Sequence, residues 1–101
     1  MTDSRKSARK SREFKTIDLN LLKVFETLME VRNVSLAAAR LNVTQPSVSN
    51  SLNRLRAYFE DDLFVRTRNG MEPTQLAQAL ADPILQGLAS IRAGVAQNLS
   101  F

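Results

Sequence analysis

Thr44-Gln45-Pro46-Ser47-Val48-Ser49-Asn50-Ser51-Leu52-Asn53-Arg54-Leu55-Arg56-Ala57-Tyr58-Phe59 is the stretch on which the reading of this chain turns. Thr44 can cap a helix, and Pro46 then falls in the first turn, where a missing N–H costs nothing. Val48, Leu52, Leu55 and Phe59 follow at spacings of four, three and four, so they form one apolar stripe on that helix. Opposite the stripe lie Pro46, Asn50, Asn53, Arg54 and Ala57, with Gln45, Ser47 and Ser49 near the leading end. Glu and Lys dominate an ordinary solvent face; short, neutral hydrogen-bonding side chains lead this one. Such a face suits insertion into a DNA major groove, because short side chains let a helix sit close to base edges. The plainer alternative is a polar face with no partner.

Upstream, Ser35 is placed to cap a short helix over Leu36–Leu41, and its three alanines favour helix and close backbone approach. Asn42 tolerates the left-handed conformation that closes a helix, and Val43 is expected to plug the turn. Two helices joined by about four residues make a helix-turn-helix. A longer helix precedes them. Asp18 caps it, Leu21, Leu22, Val24, Phe25, Leu28, Met29 and Val31 give it an unusually wide apolar face, and it should end near Arg32-Asn33.

Downstream, Leu63-Phe64-Val65-Arg66 has strand propensity, and Met71-Glu72-Pro73 can pair with it across Thr67-Arg68-Asn69-Gly70, with Asn-Gly as the turn signal. This small hairpin is a wing, with Arg66 at its root and Arg68 at its tip. Arg66 and Arg68 either face DNA or pair with Glu60, Asp61, Asp62 or Glu72. Three adjacent acids, Glu60-Asp61-Asp62, read as a solvated turn rather than a cation site. Thr74 caps a last segment from Gln75 to about Asn98. There Ala77, Ala81, Ile84, Leu88, Ile91 and Val95 alternate spacings of four and three, the pattern of a coiled-coil seam, widened by Leu80, Leu85 and Leu99. As one helix it would reach about 36 Å, more than this small body can cover. Pro83 should kink it or divide it near Ala79. Leu21, Val24 and Leu28 of the first helix can cover the rest of the seam, which reads as a dimer interface; an intramolecular core is the alternative.

Composition narrows the function. Among 101 residues there is no cysteine and no histidine, so thiolate or imidazole metal sites and the commonest general base are missing. No Gly-rich phosphate loop is present either, so no enzyme, no cofactor and no metal are expected. No apolar run nears the roughly 18 residues of a membrane span, and the basic start lacks an apolar signal core, so a cytoplasmic protein is expected. The net charge of +4 is uneven. Arg5, Lys6, Arg9, Lys10, Arg12 and Lys15 crowd the first fifteen residues, while the basic and acidic residues after Thr16 cancel. Residues 1–15 have almost nothing to bury and are expected to be flexible, either a phosphate-contacting arm or a solubilising extension.

Taken in order, Asp18-Leu19-Asn20-Leu21-Leu22, Ala38-Ala39-Arg40-Leu41, Thr44-Gln45-Pro46-Ser47-Val48-Ser49, Leu63-Phe64-Val65-Arg66 and Pro73-Thr74 resemble the N-terminal domain of LysR-type transcriptional regulators. The opening motif and Gly70-Met71-Glu72-Pro73-Thr74 are most similar to the branch of nodulation and aromatic-degradation regulators. The resemblance implies a winged helix-turn-helix, a homodimer through antiparallel linker helices, and an interrupted palindrome as target. It further implies that Thr44 and Ser49 contact backbone or bases, that Gln45, Pro46 and Asn50 meet base edges, and that a wing arginine approaches the minor groove. The chain departs from the family at Asn69, where arginine is frequent, and at Thr74-Gln75-Leu76-Ala77, where Thr-x-Ala-Gly is frequent.

The expected organisation is therefore mainly α. A basic tail covers 1–15, a winged helix-turn-helix with a two-stranded wing covers 16–73, and a linker or dimerisation helix covers 74–101. An effector domain is absent, and a small-molecule effector is expected only for a full-length parent. Sequence-specific binding of double-stranded DNA leads. Non-specific duplex coating by the tail, a protein-binding adaptor and an enzyme follow in that order.

Overall fold

The computed structural model describes residues 17–99. The flexibility expected of residues 1–15 lies outside them. Helix α1 spans Leu19–Val31 and begins where the Asp18 carboxylate accepts the Leu21 N–H at 3.0 Å. It ends at Arg32, which is left-handed at φ 53° and donates its N–H to the Leu28 carbonyl. Both flanks of the wide apolar face are used, and Phe25 and Leu28 are wholly buried. The buried Thr27 hydroxyl is satisfied by the Lys23 carbonyl at 2.8 Å.

Helix α2 spans Val34–Leu41, so it starts two residues earlier than the sequence suggests. Asn33, not Ser35, is the cap: its side chain accepts the Leu36 N–H at 2.9 Å. Ala37 and Ala38 are buried and let α2 approach its neighbours closely. Asn42 closes the helix at φ 60°. The expected plug is not one: Val43 is 45% exposed, and the turn is sealed instead by its N–H bonding the Ala38 carbonyl.

Helix α3, Gln45–Phe59, is capped by Thr44 Oγ1, which accepts the Ser47 N–H at 3.2 Å. Val48, Leu52 and Leu55 are buried, and Phe59 is half-buried. After α3 the chain turns through Leu63, a fully buried residue at φ 61°. A non-glycine residue there is strained and must be held from outside. Asp61 Oδ2 accepts the Leu63 N–H at 2.8 Å, and the Leu63 carbonyl accepts the Thr74 N–H at 2.8 Å.

Strands β1 (Phe64–Thr67) and β2 (Gly70–Pro73) pair antiparallel, with Val65 opposite Glu72 and Thr67 opposite Gly70. The two residues in the turn are therefore Arg68 and Asn69, and Gly70 is already in the ladder. Its glycine has another cause. A Cβ there would sit 2.7 Å from the Arg32 carbonyl oxygen, and the backbone is at φ +109°. That same carbonyl accepts the Met71 N–H at 2.9 Å, which fastens the wing to the α1–α2 junction. Gly70→Ala is expected to cost about 1–3 kcal/mol, from strained backbone and the lost strap together. Thermal unfolding would measure it, and an unchanged melting temperature would show that the wing can shift freely.

Helix α4, Gln75–Leu99, runs unbroken through Pro83, so the expected division near Ala79 does not occur. Ala79, whose carbonyl loses its partner, and Pro83 itself are both exposed, so solvent can satisfy the orphaned oxygen. Thr74 caps α4 through Oγ1 to the Ala77 N–H at 3.2 Å. The helix lies on α1. Ala77 is fully buried and Leu88 5% exposed, and Arg92 makes a two-pronged ion pair with Glu26 at 2.6 and 3.0 Å. The core closes around Phe25 and Phe64, whose ring centroids are 5.7 Å apart. The result is a winged helix-turn-helix with one extra long helix.

Candidate nucleic-acid interface

The buried stripe of α3 fixes which side of that helix faces outward. Thr44, Gln45, Pro46, Ser47, Ser49, Asn50, Asn53 and Arg54 are all exposed, as the stripe predicts. No carboxylate lies on α3 from Gln45 to Phe59. The wing stands beside it, with Arg66 and Arg68 both exposed. Among the described residues neither arginine has an ion-pair partner. The alternative in which Glu60, Asp61, Asp62 or Glu72 neutralises them does not hold within that set.

Asp61 and Glu72 have other partners. Asp61 Oδ2 accepts from the Thr74 hydroxyl at 2.6 Å and from the Leu63 N–H at 2.8 Å. These two hydrogen bonds, Thr74 first, hold its carboxyl below the ordinary carboxylate range. Asp61 thus joins the end of α3, the start of the wing and the cap of α4. The backbone carbonyl of Asp62 accepts from Arg56 Nε at 2.8 Å. Glu72 takes the Thr67 hydroxyl at 3.1 Å. Glu26 is lowered chiefly by its hydrogen bonds from Arg92, and Glu30 pairs with Arg40 at 2.6 Å across α1 and α2. Among the described residues no three carboxylates converge as cation ligands would.

Between α3 and the wing are two adjoining clefts of about 300 Å³ each. Ser49, Asn53, Arg56 and Arg66 line the first, and Asn33, Ser35, Gln45, Ser49, Arg66 and Thr67 line the second. Arg66 and Ser49 belong to both. The sequence offers Arg66 either to DNA or to an acid partner and assigns Ser35 to a cap; the fold sets Arg66 on the walls of both clefts and Ser35 on that of the second. Arg56 Nη2 donates to the Phe64 carbonyl at 2.8 Å and Nη1 to Asn53 Oδ1 at 3.2 Å. Arg56 ties the wing to α3.

The seam residues separate into two groups. Leu21, Ala77 and Leu88 are buried within the single chain, at 4%, 0% and 5% exposure. Ala81 and Ile84 are half-buried. Ile91 and Val95 remain open at 46% and 55%. The sequence pattern could not separate these groups, because α1 and a partner helix ask for the same side chains.

A polar, acid-free helix beside an arginine-bearing wing, on three packed helices, defines a winged helix-turn-helix module of the nucleic-acid-binding type. Residues 19–78 match the model of the bacterial regulatory helix-turn-helix protein, lysR family, and the chain belongs to that family. It is 49% identical over 89 residues to the transcriptional activator NagR of a Ralstonia species, a match covering 88% of this chain and 30% of NagR. The chain thus spans less than a third of that relative's length. A crystal structure of a transcriptional regulator from Pseudomonas aeruginosa superposes with a TM-score of 0.79 at 39% identity, over 83% of this chain and 28% of the other. Vibrio fischeri DarR, solved in complex with DNA, gives 0.74 at 27% identity over 84% of this chain and 29% of its own. The fold and family expected from the sequence are those found.

Proposed function

We propose that this chain is the operator-recognition part of a LysR-type transcriptional regulator, and that it acts by sequence-specific binding of double-stranded DNA rather than by catalysis. The observation that carries this reading is the exposed, acid-free face of α3 from Gln45 to Arg54 beside wing arginines that have no ion-pair partner among the described residues. In this reading residues 44–59 enter the major groove, where Gln45, Pro46 and Asn50 meet base edges while Thr44, Ser47, Ser49, Asn53 and Arg54 flank them. The wing, 63–73, points Arg68 toward the adjacent minor groove. The DNA seen bound to DarR supports DNA binding as the activity.

Two copies joined through α4 would read an interrupted palindrome, since a two-fold dimer matches a two-fold site. The face available for this carries Ala81, Ile84, Ile91 and Val95. Units 1–15, 16–73 and 74–101 then act as basic tail, reader and linker. A small-molecule effector would be read only in a full-length parent, and the setting is the cytoplasm. No helix among the described residues is long and apolar enough to cross a membrane.

Selection of binding sites from random duplexes, followed by titration over a salt series, tests the reading. A preferred sequence should emerge, with affinity falling steeply with salt at about 0.9 log units per neutralised phosphate. Removing residues 1–15 should make the slope shallower and leave the preference intact. Loss of preference with the tail would mean that α3 does not read sequence.

A further inference from the structure

We infer that Asn69-Gly70, at the tip of the wing, is a self-modification site: Asn69 loses ammonia to its own backbone, becomes a carboxylate, and takes the wing out of DNA contact as the protein ages. The chemistry stands on the sequence and the fold alone; its consequence rests on the DNA-binding reading above. Of the asparagines in the chain only Asn69 is followed by glycine. Asn20, Asn50 and Asn53 lie in helices, where the next backbone N–H is engaged. Asn33 has its side-chain oxygen bound by the Leu36 N–H, and Asn53 by Arg56. Asn33 and Asn42 are followed by valine, whose branched side chain crowds the nitrogen.

Asn69 has none of these protections. It is exposed, and its side-chain amide makes no hydrogen bond among the described residues; its backbone N–H goes to Thr67 Oγ1 at 3.1 Å. Nor does the turn need asparagine. Positive φ among the described non-glycine residues is confined to Arg32, Asn42, Glu60 and Leu63, so Asn69 keeps a backbone open to most residues. The glycine is fixed by contrast, with φ at +109° and the Arg32 carbonyl 2.7 Å from where a Cβ would stand. The fold therefore demands the residue that makes the pair reactive and leaves the reacting side chain free.

The step needs no co-reactant but water. The Gly70 backbone nitrogen gives up its proton and bonds to Asn69 Cγ, the Cγ–Nδ2 bond breaks, and the amide leaves as ammonia with that proton. Water then opens the five-membered imide. Cleavage between the nitrogen and Cγ restores the peptide bond and leaves aspartate; cleavage between the nitrogen and the main-chain carbonyl leaves an isoaspartyl link. No electrons change hands. Gly70 pairs with Thr67 at the open end of the ladder, where fraying costs least, so the nitrogen can reach Cγ while Met71 stays strapped to Arg32. Either product harms the wing. Aspartate sets a carboxylate beside Arg68, where it repels phosphate and draws the guanidinium away from it. Isoaspartate adds a backbone methylene to the turn and breaks the register of Thr67 with Gly70. With Met71 held at 2.9 Å from the Arg32 carbonyl, the extra length falls on Arg68.

In the test, the purified chain and Asn69→Gln are held at mildly alkaline pH beside a free peptide of residues 64–73, and fragment mapping follows residue 69. The wild-type fragment should gain the mass of an amide-to-acid exchange, as a mixture of aspartate and isoaspartate, and faster as pH rises. Asn69→Gln should stay unchanged, because its longer side chain would have to close a six-membered ring. A wild type that stays intact while the free peptide converts would overturn the site, since the folded hairpin would then hold the nitrogen away from Cγ. A second arm titrates a selected duplex over a salt series. Asn69→Asp should bind more weakly than fresh wild type, with a log–log salt slope shallower by about 0.9 as one phosphate contact is lost. Aged wild type should weaken in step with its conversion, and aged Asn69→Gln should not weaken. Conversion with no loss of duplex affinity would overturn the switching-off of the wing and leave the chemistry. A fresh wild type that binds no duplex would overturn the DNA-binding reading, and the mass gain would stand.

Discussion

A chain carrying Ile91→Glu together with Val95→Glu is expected to sediment as a monomer at micromolar concentration and to bind the palindromic operator about 10²–10⁴-fold more weakly than wild type. The range is the gain two linked half-site readers obtain when the second binding event becomes intramolecular. The two side chains are 46% and 55% exposed in the single chain and stand one turn apart on α4. Antiparallel pairing would bury both, and each counts twice across a two-fold axis. Four carboxylates would instead have to be desolvated there, which costs more than the apolar contact returns.

The monomer should keep its fold. Ala77 and Leu88 remain buried within the chain, and Glu26 still holds Arg92 at 2.6 Å. Leu88→Glu is the informative contrast, because Leu88 is 5% exposed within one chain. It should lower the melting temperature whatever the oligomeric state, whereas the Ile91 and Val95 variant should not. A double variant that remains dimeric would remove α4 from the interface.

Removal of the two leading base readers should have an effect of similar size but opposite character. Gln45→Ala and Asn50→Ala are each expected to cost roughly 1–3 kcal/mol on the selected operator, and about twice that together, with little change on scrambled DNA. Both side chains are exposed on the acid-free face, and among the described residues neither makes a hydrogen bond that the fold would lose. Their truncation should therefore leave stability within about 0.5 kcal/mol of wild type. Binding isotherms on both duplexes decide the matter. Equal losses on the two would mean that these side chains touch only the backbone, and the salt slope would then show it.

Much of this molecule is set by local chemistry. Asp18, Thr44 and Thr74 each cap the helix that the sequence assigns to them, because a cap is a three-residue event between a side-chain oxygen and a nearby N–H. The stripe of Val48, Leu52 and Leu55 is buried as its spacing demands, and burial of one face of α3 settles which residues point outward. Asn42 closes α2 in the left-handed region for the same local reason.

What the tertiary structure decided concerns choices that local chemistry leaves balanced. Asn33 and Ser35 are both good caps, and Asn33 wins because α1 ends at a left-handed Arg32 whose carbonyl is bound by the wing at Met71. Gly70 reads as half of an Asn-Gly turn, yet it is glycine because of a backbone oxygen thirty-eight residues earlier in the chain. Arg56 gains its backbone partners only where the wing presents the Asp62 and Phe64 carbonyls to its fork. The apolar seam of α4 could serve α1 or a second copy equally well, since burial rewards apolar area without regard to whose it is. Only the path of α4 across α1 assigned Ala77 and Leu88 to the core and left Ile91 and Val95 in the open.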